Sequence, residues 1–69
     1  MSEASIEILR LSKVMAVVSA SRTTIYQWMK DGAFPLPYHL GPRNVGWRSD
    51  EIQDWIKALP RVDPNDPVN

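Results

Sequence analysis

Two serines, Ser12 and Ser21, each stand at the head of a short amphipathic segment. A serine in this position accepts a hydrogen bond from the unpaired backbone N–H groups of a helix's first turn. The first segment, SKVMAVV, is expected to turn its valines inward, and the second, RTTIYQWMKD, is expected to end at Gly32. Only Ser19 and Ala20 separate the segments, so the sequence predicts two helices joined by a tight turn.

The second helix has two chemically different sides. Ile25, Trp28 and Met29 recur at the spacing of one helix face and predict an apolar stripe against the core. The opposite side carries Arg22, Thr23, Tyr26, Gln27 and Lys30, all of which can bond phosphates or base edges. A polar helix of this kind after a short turn is the geometry of a DNA-recognition helix. The alternative interpretation is an ordinary solvated helix face.

A β-hairpin is predicted after this helix. Pro35 and Pro37 favour extended backbone, and Phe34 before them is expected to enter the core. The segments 38–40 and 45–47 flank a turn at 41–44, which places Arg43 near the tip. Such a tip suits phosphates or a narrow minor groove, so the hairpin is a candidate wing. The alternative is a surface hairpin whose arginine serves solubility only.

The flanking segments complete the expected fold. The segment 6–11 alternates apolar and polar residues and indicates a short strand or extended lead-in. Ser49 is expected to cap a third helix, with acids in its first turn, an apolar stripe at Ile52, Trp55, Ile56 and Leu59, and its end at Pro60. The fold class is therefore mainly α with a small β-hairpin, a winged helix-turn-helix of three helices plus wing. We expect a flexible N-terminus at 1–5, this domain at 6–60 and a disordered tail at 61–69.

Composition restricts the chemistry available to the chain. Its 69 residues include no cysteine and a single histidine, His39, so neither a disulfide nor a metal site is expected. Nothing meets the geometric roles of a catalytic site, and we expect neither an enzyme nor a cofactor. Trp47 and Trp55 are expected to pack in the core. No segment is apolar enough for a bilayer or a signal peptide, so a cytoplasmic location is expected.

The charges are unevenly distributed along the chain although the formal net charge is zero. From Arg10 to Arg48 there are six basic residues and one acidic residue, Asp31, so this stretch carries +5 and the remainder −5. If the basic stretch folds onto one face, it is an electrostatic footprint for phosphates. Chance alternation of surface charge is the alternative.

The segments SRTTIYQWMKDGAFP and LGPRNVGWRSDEIQDWI, in this order and spacing, resemble the AlpA-like phage regulators and related excisionases with a MerR-like winged helix-turn-helix. The resemblance spans Leu9 to about Leu59. Two departures are the turn Ser19-Ala20, where relatives often have a Thr-Gly-Leu-like sequence, and the proline at position 42 in the wing. The resemblance implies that helix 2 faces the major groove, with DNA-contacting candidates Ser21, Arg22, Thr23, Thr24, Tyr26, Gln27, Lys30, Arg43, Asn44 and Arg48.

The resemblance implies double-stranded DNA as the partner and leaves the biological role open. Members act as transcription regulators of mobile elements or as excisionases that bend attachment-site DNA for an integrase. The matched segments as a whole resemble the AlpA-like regulators more closely than the excisionases. A hypothesis of another class is a protein-interaction module, in which exposed aromatic side chains and the acids of helix 3, Asp50, Glu51 and Asp54, dock an integrase or an RNA polymerase subunit. Cooperative assembly on tandem DNA sites is compatible with either role.

Overall fold

The computed structural model describes residues 6–65 and contains three helices and a small sheet. In chain order the elements are β1 (Ile8–Leu9), α1 (Leu11–Val18), α2 (Arg22–Lys30), β2 (Tyr38–Gly41), β3 (Asn44–Arg48) and α3 (Ser49–Lys57). The strands form one antiparallel sheet in the order β1-β3-β2. The predicted fold class is thereby confirmed, and the lead-in adds a third strand to the hairpin.

The predicted serine caps of α1 and α3 are wrong. The N-cap residues are Arg10 and Arg48, and neither makes a side-chain cap bond. The physical reason is that a strand runs directly into each helix, so the helix begins where the sheet pairing ends. Ser12 therefore lies inside the first turn of α1. Ser49 instead bonds the lead-in: its Oγ accepts from the Glu7 N–H at 2.9 Å, and its own N–H donates to the Glu7 carbonyl at 2.8 Å.

The turn between α1 and α2 contains a left-handed residue. Ser19 has φ 56° and ψ 48°, and its backbone N–H donates to the Met15 carbonyl. Within residues 6–65 it is the one non-glycine residue with positive φ. A side chain in this region costs about 1–2 kcal/mol, which explains why glycine suits such a turn. In this chain a serine therefore holds the left-handed position of the turn.

Gly32 ends α2 as predicted. It has φ 74°, its N–H donates to the Met29 carbonyl at 3.1 Å, and the Ala33 N–H donates to the Trp28 carbonyl at 2.8 Å. These two bonds satisfy carbonyls that the end of a helix otherwise leaves free. The chain then leaves α2 in a fixed direction toward the hairpin.

The hairpin has the predicted wing shape. Gly41 pairs with Asn44, so the turn consists of Pro42 and the exposed Arg43. Near the base of the hairpin, β3 approaches β1 closely at Gly46. A Cβ on this glycine would overlap the Cγ2 of Ile8 and lie 3.2 Å from a β1 backbone carbonyl oxygen. A side chain at position 46 would therefore force the Ile8 side chain and the β1 backbone to shift.

The hydrophobic core lies between the helices and the inner face of the sheet. Its buried residues are Leu9, Val14, Ile25, Phe34, Trp47 and Ile52. The expected burial of Phe34 and Trp47 is confirmed, and the Trp47 indole N–H donates to the Pro35 carbonyl at 2.9 Å. The expectation that Val17 faces inward is wrong, since its exposed fraction is 37%.

An aromatic cluster joins α2 to α3. Trp28 and Phe34 each pack on Trp55, with ring centroids 5.4 and 4.7 Å away, and the Trp55 indole N–H donates to the Ala33 carbonyl at 2.7 Å. The predicted packing role of Trp55 is confirmed. Leu59 does not complete the stripe of α3, because the helix ends at Lys57 and Leu59 is 51% exposed.

The chain ends lie largely outside the described residues. The expected flexible N-terminus, 1–5, and the last part of the expected tail, 66–69, fall outside residues 6–65. Residues 61–65 are exposed and contain no helix or strand. The division into terminus, domain and tail stays a prediction.

Candidate nucleic-acid interface

The start of α2 is fixed by the side chain of Ser21. Its Oγ accepts a hydrogen bond from the Thr24 N–H at 3.1 Å and donates one to the Thr24 Oγ1 at 2.9 Å. The predicted cap is confirmed. Both hydroxyls are thus engaged in starting the helix, which sets the direction in which the rest of α2 is presented.

The polar side of α2 lies at the protein surface. Its five predicted residues are all exposed: Arg22, Thr23, Tyr26, Gln27 and Lys30. On the other side Ile25 is fully buried, and Trp28 and Met29 pack partly buried against the core. The core therefore holds the helix through three apolar side chains while its polar side remains accessible.

Two contacts order the side chains on this surface. The Arg22 guanidinium carbon lies 5.6 Å from the centroid of the Tyr26 ring. This is a cation–π contact between residues one helical turn apart. The Gln27 amide donates to the Asp31 carboxylate at 3.2 Å. A guanidinium over a ring keeps its edge N–H donors free, and the Gln27 amide keeps its oxygen and one N–H. Both groups can therefore still make paired bonds to a base edge.

The wing tip carries a contact that the sequence did not indicate. The Asn44 Oδ1 accepts a hydrogen bond from the Arg10 Nη2 at 3.2 Å. Arg43 is exposed at the tip beside it. The sequence predicts no role for Arg10 beyond its positive charge, because 34 positions separate it from Asn44 and no local pattern links the two residues. The structure brings it to the wing.

Arg48 is already occupied at the base of the wing. Its guanidinium donates to both Asp50 carboxylate oxygens, at 3.1 and 2.8 Å. These bonds to Asp50 raise the pKa of Arg48 above its ordinary value. The Tyr38 hydroxyl donates to Glu51 at 2.7 Å, and this bond raises the pKa of Tyr38. Any contact of Arg48 to DNA therefore has to compete with Asp50.

The other basic side chains of the stretch from Arg10 to Arg48 form no salt bridge in the described part of the chain. Within residues 6–65 the Arg48–Asp50 pair is the one salt bridge. The exposed basic residues outside it in the +5 stretch are Arg10, Lys13, Arg22, Lys30 and Arg43. Uncompensated charge on a surface attracts polyanions. Over the same range no group of three or more potential ligands suits a metal ion.

The comparison with known proteins decides the family. The family model described as prophage CP4-57 regulatory protein (AlpA) matches residues 7–61. The chain belongs to the AlpA family. The matched range contains every element of the fold, so AlpA-family membership concerns the whole winged helix-turn-helix. The resemblance to AlpA-like phage regulators inferred from the sequence is confirmed.

Two relatives of this AlpA-family chain are informative. It is similar to the DNA-binding transcriptional activator AlpA of Escherichia coli (strain K12), with 34% identity over 61 residues, 80% of this chain and 87% of the relative. It is also similar to an uncharacterized protein of Enterobacteria phage P4, with 40% identity over 48 residues, 70% of this chain and 54% of the phage protein. No solved structure gives a significant match.

Proposed function

We propose that this chain is a sequence-specific duplex-DNA-binding regulator of a phage or mobile element, without catalytic activity. The observation that carries the proposal is the capped, exposed polar face of α2, held on the core after a turn of three residues from α1. The E. coli relative, named a DNA-binding transcriptional activator, supports it. Such a regulator works in the cytoplasm, where its DNA is.

In this proposal α2 enters the major groove. Arg22 and Lys30 bond guanine edges or phosphates, and Gln27 pairs with adenine. Tyr26 and Thr23 contact the backbone or a thymine methyl group. Ser21 and Thr24, which hold the start of the helix, approach the nearest phosphate.

The wing occupies the adjacent minor groove. Arg43 at the tip is the residue that a narrow minor groove attracts, because its negative potential favours arginine. Asn44 lies beside it, and Arg48 at the wing base contacts the backbone only where it leaves Asp50. The wing therefore contributes one strong contact and two weaker ones.

The test is a selection of bound sequences from a random duplex pool, followed by titration of the selected duplex. Arg22→Ala is expected to weaken specific binding by about 1–3 kcal/mol and to relax selection at one base position. Lys57→Ala, which removes a charge from the far end of α3, is the matched control and is expected to leave binding unchanged. Equal affinities of the two variants would contradict the assignment of α2.

The same complexes separate the regulator from the excisionase. An excisionase bends its site, so complexes with the duplex placed at different positions in a longer fragment migrate differently in a gel. We expect this chain to be a regulator, so the gel migration of its complexes should depend only weakly on where the binding site lies in the fragment. Strong position dependence would favour the excisionase, with an integrase as the expected partner. Spacing of the selected sites reports cooperative assembly on DNA.

A protein partner such as an integrase or RNA polymerase is the second candidate. Of the helix-3 acids, Asp50 bonds Arg48 and Glu51 bonds Tyr38, which leaves Asp54 as the exposed acid without such a bond within the described chain. An apolar groove of about 490 Å³ is lined by Val17, Val18, Trp28, Ala33, Trp55, Ile56 and Leu59. Docking would rely on this groove rather than on the acids. Binding of purified polymerase or integrase that Leu59→Asp abolishes would support it.

A further inference from the structure

The backbone of Arg10 is fixed from both sides at the junction of β1 and α1. Leu9 before it pairs with Trp47 in the sheet. The Arg10 carbonyl accepts hydrogen bonds from the N–H groups of Lys13 and Val14, at 3.0 Å each. The exposed side chain thus begins at a rigid point of the fold and extends toward the wing.

The guanidinium group of Arg10 is oriented but not neutralised. One of its five N–H donors bonds the Oδ1 of Asn44, the residue that closes the wing turn opposite Gly41. No carboxylate forms a salt bridge with it in the described chain. An oriented guanidinium with free donors and an uncompensated charge has the geometry that binds a phosphate bidentately.

We propose that Arg10 is a phosphate-binding residue of the DNA interface and that Asn44 is a positioning residue that orients it. The proposal rests on the DNA binding proposed above. It changes the role expected for Asn44, whose side-chain oxygen is directed at Arg10. Arg10 thus adds a guanidinium next to Asn44, beside the one that Arg43 carries at the wing tip.

The test is the salt dependence of binding to a labelled random-sequence duplex of about 20 base pairs, measured by fluorescence anisotropy. Loss of one phosphate contact lowers the magnitude of the slope of log K against log salt by about 0.9. Arg10→Ala and Arg10→Gln are each expected to show this decrease and to weaken binding roughly tenfold at low salt. Arg61→Ala removes the same charge from the exposed C-terminal segment and is expected to keep the wild-type slope.

A double-mutant cycle tests the positioning role. Asn44→Ala is expected to weaken binding severalfold with an unchanged slope, because the phosphate contact remains but is less well oriented. In the Arg10→Ala background the same change is expected to have no further effect. Thermal melts of every variant confirm that the fold persists.

The outcomes distinguish this inference from the function on which it rests. If the wild-type chain binds no duplex, the proposed function fails. If the wild type binds with a normal slope and Arg10→Ala and Arg10→Gln keep that slope, only the phosphate contact of Arg10 is overturned. An Asn44→Ala effect that persists in the Arg10→Ala background refutes the positioning role.

Discussion

The hydroxyl of Ser21 determines how firmly the proposed recognition helix begins. It makes two hydrogen bonds to Thr24, one to the backbone N–H and one to the side chain. Ser12 occupies an equivalent place in the sequence, at the head of its own amphipathic segment, but it makes no cap bond in α1. The two serines therefore form a matched pair, in which the same substitution has different expected effects.

Ser21→Ala removes both bonds and leaves the Thr24 N–H to water. Loss of an N-cap serine costs about 1 kcal/mol. For a domain of this size 1 kcal/mol lowers the melting temperature by about 4–8 °C. Ser12→Ala removes no cap bond and adds a better helix former, so its free energy of unfolding should stay within about 0.5 kcal/mol of the wild type.

The assay is thermal unfolding followed by circular dichroism at 222 nm, together with denaturant unfolding followed by tryptophan fluorescence. Both readouts should rank the variants as wild type and Ser12→Ala together, with Ser21→Ala below them. Equal destabilisation by the two substitutions, or a larger effect of Ser12→Ala, would refute the assignment of caps and the helix starts derived from it.

Three further changes test other parts of the fold. Gly46→Ala should lower the free energy of unfolding by about 1–3 kcal/mol, because the added Cβ overpacks the sheet. Gly41→Ala should change it by no more than about 0.5 kcal/mol, because its Cβ would make only an ordinary contact, 3.7 Å from the Asn44 amide nitrogen. Equal denaturation midpoints of the two variants would contradict this. Ser19→Gly relieves about 1–2 kcal/mol of left-handed strain and costs about 0.5–1 kcal/mol in chain entropy, so it should raise the melting temperature; a decrease would count against the turn. Glu51→Gln should lower the pKa of Tyr38, followed by the NMR signals of its ring; an unchanged titration would mean that the hydrogen bond is absent in solution.

Local patterns predicted the parts of the fold that depend on neighbouring residues. The Ser21 cap, the stop at Gly32 and the wing turn around Arg43 each follow from a few adjacent side chains, and the structure shows all three. The polar face of α2 was predictable for the same reason, because its spacing separates it from the buried Ile25.

Contacts between distant segments decided what could not be predicted. Ser49 looked like a cap, but pairing with Glu7 recruits it to the lead-in instead. Arg10 had no visible partner, because Asn44 reaches it only once the sheet forms. Periodicity placed Val17 on the apolar face of its helix, but the neighbouring helices leave an open groove there.

The central claim is that the polar face of α2 and the wing bind duplex DNA through basic side chains that form no salt bridge within the described residues. The most direct test measures the affinity of the wild-type chain for a duplex over a range of salt concentrations. Neutralisation of about four to six phosphates predicts that log K falls linearly with log salt with a slope of about −4 to −5. Binding that is absent for every duplex, or that does not change with salt, would contradict the claim.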